Sequence, residues 1–202
     1  MMLVKKCALG CLVLLASACG ALTNLCEPTV PPKARTPPVN IYDLTVDVSV
    51  FPEGWDACLG PGGIPEREHG ESESVIVGFC PEDFDGSIGA ARYEVFRYRN
   101  EPEAARSFLR HGFLNRDLLT PLAVTDEWSY ESPIADRFRF ACARINILGV
   151  GYWTCNAVAQ YDEYISFLST HLSPENMTFG DLERILIAID DRMLLYLEED
   201  AQ

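Results

Sequence analysis

The sequence predicts an α+β fold, a two-layer sandwich in which a largely antiparallel sheet carries helices packed on one face. Three observations predict it. Six runs of strand character follow one another through the chain, at 41–51, 74–80, 91–99, 136–145, 152–161 and 164–172. The last two are separated only by Asp162 and Glu163, which requires a tight antiparallel hairpin. Two further segments place apolar residues at helical spacing behind capping signals, and each offers one stripe for a sheet face to cover.

In "IYDLTVDVSVF", Leu44, Val46, Val48 and Val50 alternate with Asp43, Thr45, Asp47 and Ser49, the period of two expected of a strand with one buried face. The first helix is "NEPEAARSFLRHGF". Asn100 is its N-cap, Pro102 lies in the first turn and Glu103 takes the reciprocal capping position, with Ala105, Phe108, Leu109 and Phe113 turned inward. The second is "TFGDLERILIAIDDRMLLYL", with Thr178 as N-cap, Asp181 three residues on, and Leu182, Ile185, Leu186, Ile189 and Met193 on one face. Residues 41–202 form one domain with no internal repeat.

What precedes that domain is of a different kind. Lys5 and Lys6 stand ahead of a short apolar run, which ends in the small residues Ala16, Ser17 and Ala18. This is the layout of a secretory signal, and the run is too short for a bilayer span of about 20 residues. The order Ala16, Ser17, Ala18, Cys19 resembles the lipobox of bacterial lipoproteins. The resemblance implies cleavage after Ala18, a diacylglyceryl thioether on Cys19 and acylation of the new amine, so that residues 1–18 are a signal peptide. Residues 19–40, with Pro28, Pro31, Pro32, Pro37 and Pro38, read as a proline-rich linker. At about 3.1 Å per residue, such a spacer holds a domain on the order of 50 Å from the bilayer. Tethering then rests on lipid, and the expected location is extracytoplasmic.

Charge narrows the partners. The chain carries 30 acidic against 16 basic residues; with Lys5 and Lys6 removed the balance falls near −16. Nucleic acid and anionic headgroups would repel such a domain, leaving a protein or a small anionic molecule as the expected partner. After the signal, one lysine, Lys33, stands against thirteen arginines. Arg97, Arg99, Arg137 and Arg139 fall on two predicted strands, and the alternation in "DRFRFAC" sets both Arg137 and Arg139 opposite Phe138 and Phe140. Planar guanidinium forks suit a carboxylate or phosphate; cross-strand pairing with Glu94, Asp136 and other carboxylates is the competing use.

Cysteines are expected to pair outside the cytoplasm. Cys142 and Cys155 are symmetric about a turn at Leu148 and Gly149, which places them opposite one another in a hairpin. By elimination Cys58 pairs with Cys80, and Cys26 is left over. No cysteine or histidine spacing suits a metal, and no cofactor is expected. Asp83, Asp85 and "GSIG" lack most of a calcium loop. His69, His111 and His171 are scattered, and neither a nucleophile elbow nor a phosphate loop is present. Trp128 and Tyr130 suit packing better than an exposed sugar platform, and the sequon at Asn176 is explained by Thr178 as helix cap.

Taken in order, strand "ARYEVFRYRN", helix "EPEAARSFL", strand "ADRFRFAC", the cysteine of "YWTC", hairpin "AVAQYDEYISFLSTHL" and helix "MTFGDLERILIAIDDRM" resemble a family of uncharacterised bacterial lipoproteins. In element order and paired cysteines the chain is also similar to the extracellular sensor domains of bacterial Ser/Thr kinases. Neither resemblance brings catalytic residues. The expected function is a lipid-anchored, extracytoplasmic binding or sensor-like domain without catalytic activity. The alternatives are an exported hydrolase using His111 or His171 with carboxylates, and a structural envelope lipoprotein.

Overall fold

A computed structural model describes residues 39–63, 70–84, 89–111, 114–115, 120–121, 128–147 and 150–199. Cys19, Cys26, the linker up to residue 38, His69, Phe113, Asp85 and the turn at Leu148 and Gly149 lie outside the described residues.

Among the described residues, eight strands and two α-helices succeed one another: β1 (Trp55–Gly62), β2 (Glu73–Pro81), β3 (Ala91–Arg97), α1 (Glu101–Phe108), β4 (Leu114–Asn115), β5 (Thr120–Pro121), β6 (Arg137–Ile147), β7 (Val150–Tyr161), β8 (Tyr164–Leu172) and α2 (Phe179–Glu199). Six of the strands form one sheet in the order β1-β2-β3-β8-β7-β6, with every pairing antiparallel, and β4 and β5 pair separately. The fold is therefore an α+β sandwich on an antiparallel sheet. The β7–β8 hairpin turns through Asp162 at φ 50°, a left-handed conformation that aspartate tolerates better than most residues.

One sheet face carries the main core. Val75, Val77 and Phe79 of β2, Tyr93 and Val95 of β3, Leu168 and Leu172 of β8, and Cys155, Ala157 and Ala159 of β7 are buried there. Against them packs the predicted α2 stripe of Leu182, Ile185, Leu186, Ile189 and Met193, all buried. Burying such side chains contributes about 1.5–3 kcal/mol each, so this layer dominates stability. The start of α2 is as the sequence indicates: Thr178 N donates to Asp181 Oδ2 at 2.9 Å, and Asp181 N donates to Thr178 Oγ1 at 3.2 Å.

Three departures from the sequence reading have physical causes. The expected strand at 41–51 is instead two 3-10 turns, Ile41–Leu44 and Val48–Val50. Asn40 Oδ1 accepts from Tyr42 N at 3.2 Å and Asp47 Oδ1 from Ser49 N at 2.9 Å, so short polar side chains draw the backbone out of extension. In α1, Asn100 is the N-cap and accepts from Glu103 N at 3.0 Å, but the inner residues are Ala104, Ser107 and Phe108; Leu109 faces out. The helices also divide between the faces. α2 and the 3-10 turns cover one, while Ala104 and Phe108 of α1 pack with Phe96, Val158 and Ile165, which alternate with the main core and lie on the other.

Strand β1 runs from Trp55 into the glycine- and proline-rich stretch that begins at Leu59. Its pairing with β2 is irregular between Ala57 and Leu59 and again between Leu59 and Gly62. Gly78 permits that irregularity, since a Cβ there would stand 2.9 Å from Leu59 Cβ.

Candidate functional site

The two disulfides join the expected cysteines. Cys142 and Cys155 are directly opposite in the β6–β7 register, 4.1 Å apart at Cα, and both are buried in the main core. Cys58 and Cys80 link edge strand β1 to β2, with Cα atoms 5.7 Å apart. No helix among the described residues is long and apolar enough to cross a membrane. Among the described residues there is also no group of three or more His, Cys, Asp or Glu side chains placed to hold a metal.

Sheet parity separates the four arginines that the sequence singled out. In the β6–β7 register Arg137 faces Gln160 and Arg139 faces Val158, so both stand on the α1 side of the sheet with Val158. Arg97 pairs with Tyr164 on β8 and lies over its ring at 5.8 Å, which puts it on the other side, 3.9 Å from Glu73. Arg99 is exposed in the bend that leads into α1. Arg137 donates from Nη1 to the carbonyl oxygen of Ala105 at 3.1 Å. That carbonyl belongs to the last turn of α1, where acceptors lack helical partners and the helix dipole favours a cation. The fold thus uses one of the pair to hold α1 against β6. Of the expected cross-strand pairs, Glu94 binds Arg92 on its own strand. Asp136 accepts from the backbone N–H of Asp162 at 2.7 Å.

His111 is only 4% exposed. The Tyr98 hydroxyl and His111 Nε2 are 3.0 Å apart, and Phe96 lies against the imidazole at 4.7 Å between ring centres. Burial pushes the Tyr98 phenol up to about 12; a hydrogen bond with Ser107 opposes that shift and the charge of Glu71 adds to it. Glu71, Tyr98, Ser107 and His111 therefore form a buried cluster, in surroundings typical of a packed histidine. His171 lies at the far end of β8, paired through the register with Thr154, and does not join it.

A second buried cluster was not anticipated. Asp190 of α2 is 5% exposed and accepts three hydroxyl hydrogen bonds: from Tyr130 at 2.6 Å, Ser132 at 2.7 Å and Tyr161 at 2.6 Å. Both phenols are held well above their ordinary pKa, first by burial and then by the Asp190 carboxylate, so they remain donors. Ser132 Oγ also accepts from Ala135 N at 3.0 Å, which fixes the segment 128–135 across the end of the core. The adjoining cavity, between Tyr130, Tyr161, Ser166 and Asp190, measures about 10 Å³ and has room for one water at most. The sequence signal was an aspartate falling on the apolar stripe of α2, four residues after Leu186. Trp128 and Tyr130 also pack inward, Trp128 edge-on to Phe140 at 5.0 Å and stacked on Phe179 at 5.5 Å.

Fold and bridges together define a disulfide-bonded α+β sandwich domain. No family model matches the chain, and no curated protein matches it. Among solved structures it is similar to a crystal structure of a protein from Bacteroides thetaiotaomicron VPI-5482, at 14% identity and a TM-score of 0.32, over 66% of this chain and 40% of that one. At that score the likeness carries no argument about function.

Proposed function

We propose that the chain is a lipid-anchored extracytoplasmic binding domain, tethered through Cys19 and lacking a catalytic role. The observation that carries this reading is the pair of disulfides, because such bridges form and persist outside the reducing cytoplasm. The lipobox-like stretch ending at Cys19 and the proline-rich spacer behind it supply the tether. Arg137 and Arg139 on the α1 side of the sheet supply forked donors for a carboxylate or phosphate on the partner.

Two experiments test the two halves of the reading. Cys19→Ser should yield an uncleaved or soluble product that no longer enters the detergent phase; a variant processed and retained like the parent would remove the anchor. In the folded domain, Arg137→Lys with Arg139→Lys keeps charge but removes the fork. Capture of inorganic phosphate or a dicarboxylate should weaken while thermal stability changes little. Unfolding of that double variant would assign the arginines to the fold alone.

A further inference from the structure

We infer that the outer side of α1 and its C-terminal turn form a docking surface for an acidic polypeptide segment carrying an apolar side chain. The inference rests on the binding-domain reading above and names the class of partner. Leu109, the C-cap of α1, is 69% exposed, the most of any large apolar side chain described. It follows Arg106 and precedes Arg110, both exposed. Among the described residues, no acidic side chain forms an ion pair with either arginine.

At about 100° per residue, Leu109 lies on the helix surface between the Ala105 flank and the flank shared by Arg106 and Arg110. Arg137 reaches that first flank, bonding the Ala105 carbonyl. An apolar knob is thus bordered by basic side chains on both sides. The acids of α1, Glu101 and Glu103, lie in its first turn, away from this end.

The patch is opposite in sign to a chain of net charge −14, so it selects an anionic partner against a repelling background. Leu109 then decides the partner's nature. A phosphate polymer or a free anion has no use for an exposed leucine, whereas arginines bordering an apolar anchor match the make-up of protein interfaces.

The test uses a fluorescein-labelled peptide of alternating glutamate and leucine, followed by anisotropy against the full chain. We expect binding that weakens as salt rises, a loss of about tenfold or more for R106E/R110E and for L109E, and no change for R144E, which alters an exposed arginine elsewhere on β6. Circular dichroism melts of each variant show whether the fold is retained; Arg106, Leu109 and Arg110 are exposed, so retention is expected.

Failure to bind the peptide overturns the inference. So does equal binding of polyglutamate, which lacks the anchor, or tighter binding of polyphosphate or of phosphatidylglycerol vesicles. Self-association of the parent that R110E abolishes would assign the surface to a second copy instead. If R137K/R139K weakens phosphate capture while R106E/R110E leaves peptide binding unchanged, the binding-domain reading stands and this inference falls.

Discussion

The two faces of the sheet are built on different terms. On one, α2 and two 3-10 turns bury a mainly apolar layer, with Ser166 and Thr170 buried among it and the Asp190 carboxylate held by three hydroxyl donors. On the other, the eight-residue α1 covers a small apolar group, and Glu94, Thr154, Asn156 and Gln160 lie buried at the alternate sheet positions. A long helix with five inward apolar residues provides cohesion in bulk, whereas a short one depends on its cap, on Arg137 at its end and on polar packing. Mutations on the first face should therefore act on stability, and those on the second on local order and recognition.

The sharpest test of that division is Asp190→Ala. It strands three hydroxyl donors at once, Tyr161 fully buried and Tyr130 and Ser132 half-buried, and leaving a buried polar group unpaired costs about 1–3 kcal/mol before relaxation, less where water can reach it. We expect a loss of about 3 kcal/mol or more in urea unfolding, with Tyr161→Phe costing less, since one donor leaves and the carboxylate keeps two. If Asp190→Ala were neutral, the α2 face would owe nothing to its polar latch.

Next in size are the disulfides. The chain-entropy contributions of the 13- and 22-residue spans are nearly equal, about 3 kcal/mol each. Burial separates them. Cys142 and Cys155 lie in the main core, so C142A/C155A adds a packing defect, while Cys58 on edge strand β1 is exposed. We expect the C142A/C155A variant to melt lower than C58A/C80A; the reverse order would mean that β1 is a larger part of the cooperative unit than its exposure suggests.

How much of this was legible follows the same division. The α2 stripe, the Thr178–Asp181 box, the β7–β8 hairpin and the Cys142–Cys155 register were all readable, because periodicity and local capping encode them directly. The face chosen by α1 was not. Phe96, Val158 and Ile165 look like the off-phase positions of half-buried strands until a helix is seen to cover them. The Asn40 and Asp47 turns were hidden inside a perfect alternation, where two side-chain acceptors outweighed the pattern. Asp190 was visible as an acid on an apolar stripe, yet its hydroxyl partners sit 58 and 60 residues before it on one segment and 29 before it on another. The Leu109 surface came from a helical phase shifted by one residue.

On the α1 face, Asn100→Ala removes the acceptor for Glu103 N. Cap loss costs about 1 kcal/mol. In a helix of only eight residues we expect this to register as faster amide exchange across 101–108 while α2 is undisturbed. Equal loosening of both helices would show that the faces are one energetic unit.

The smallest effect sharpens the comparison from the other side, through pH. Burial alone would raise the Asp181 pKa, but the backbone and hydroxyl of Thr178, followed by Arg184, outweigh it and hold the carboxyl below its ordinary value. A carboxylate whose folded pKa is depressed contributes stability that is complete above its unfolded pKa and is lost as pH falls through the folded value. The contribution of the Thr178–Asp181 box is thus full at neutral pH and fades only in acid, below the usual carboxylate range. Asp181 is partly exposed, so solvent screening limits the effect to a few tenths of a kcal/mol. Asp181→Asn should accordingly lower stability slightly at pH 7 and flatten its decline in acid, measured as melting temperature against pH for parent and variant. Curves that remained parallel down to the acid limb would mean that Asp181 does not titrate with folding, and that the start of α2 is held by its apolar stripe alone.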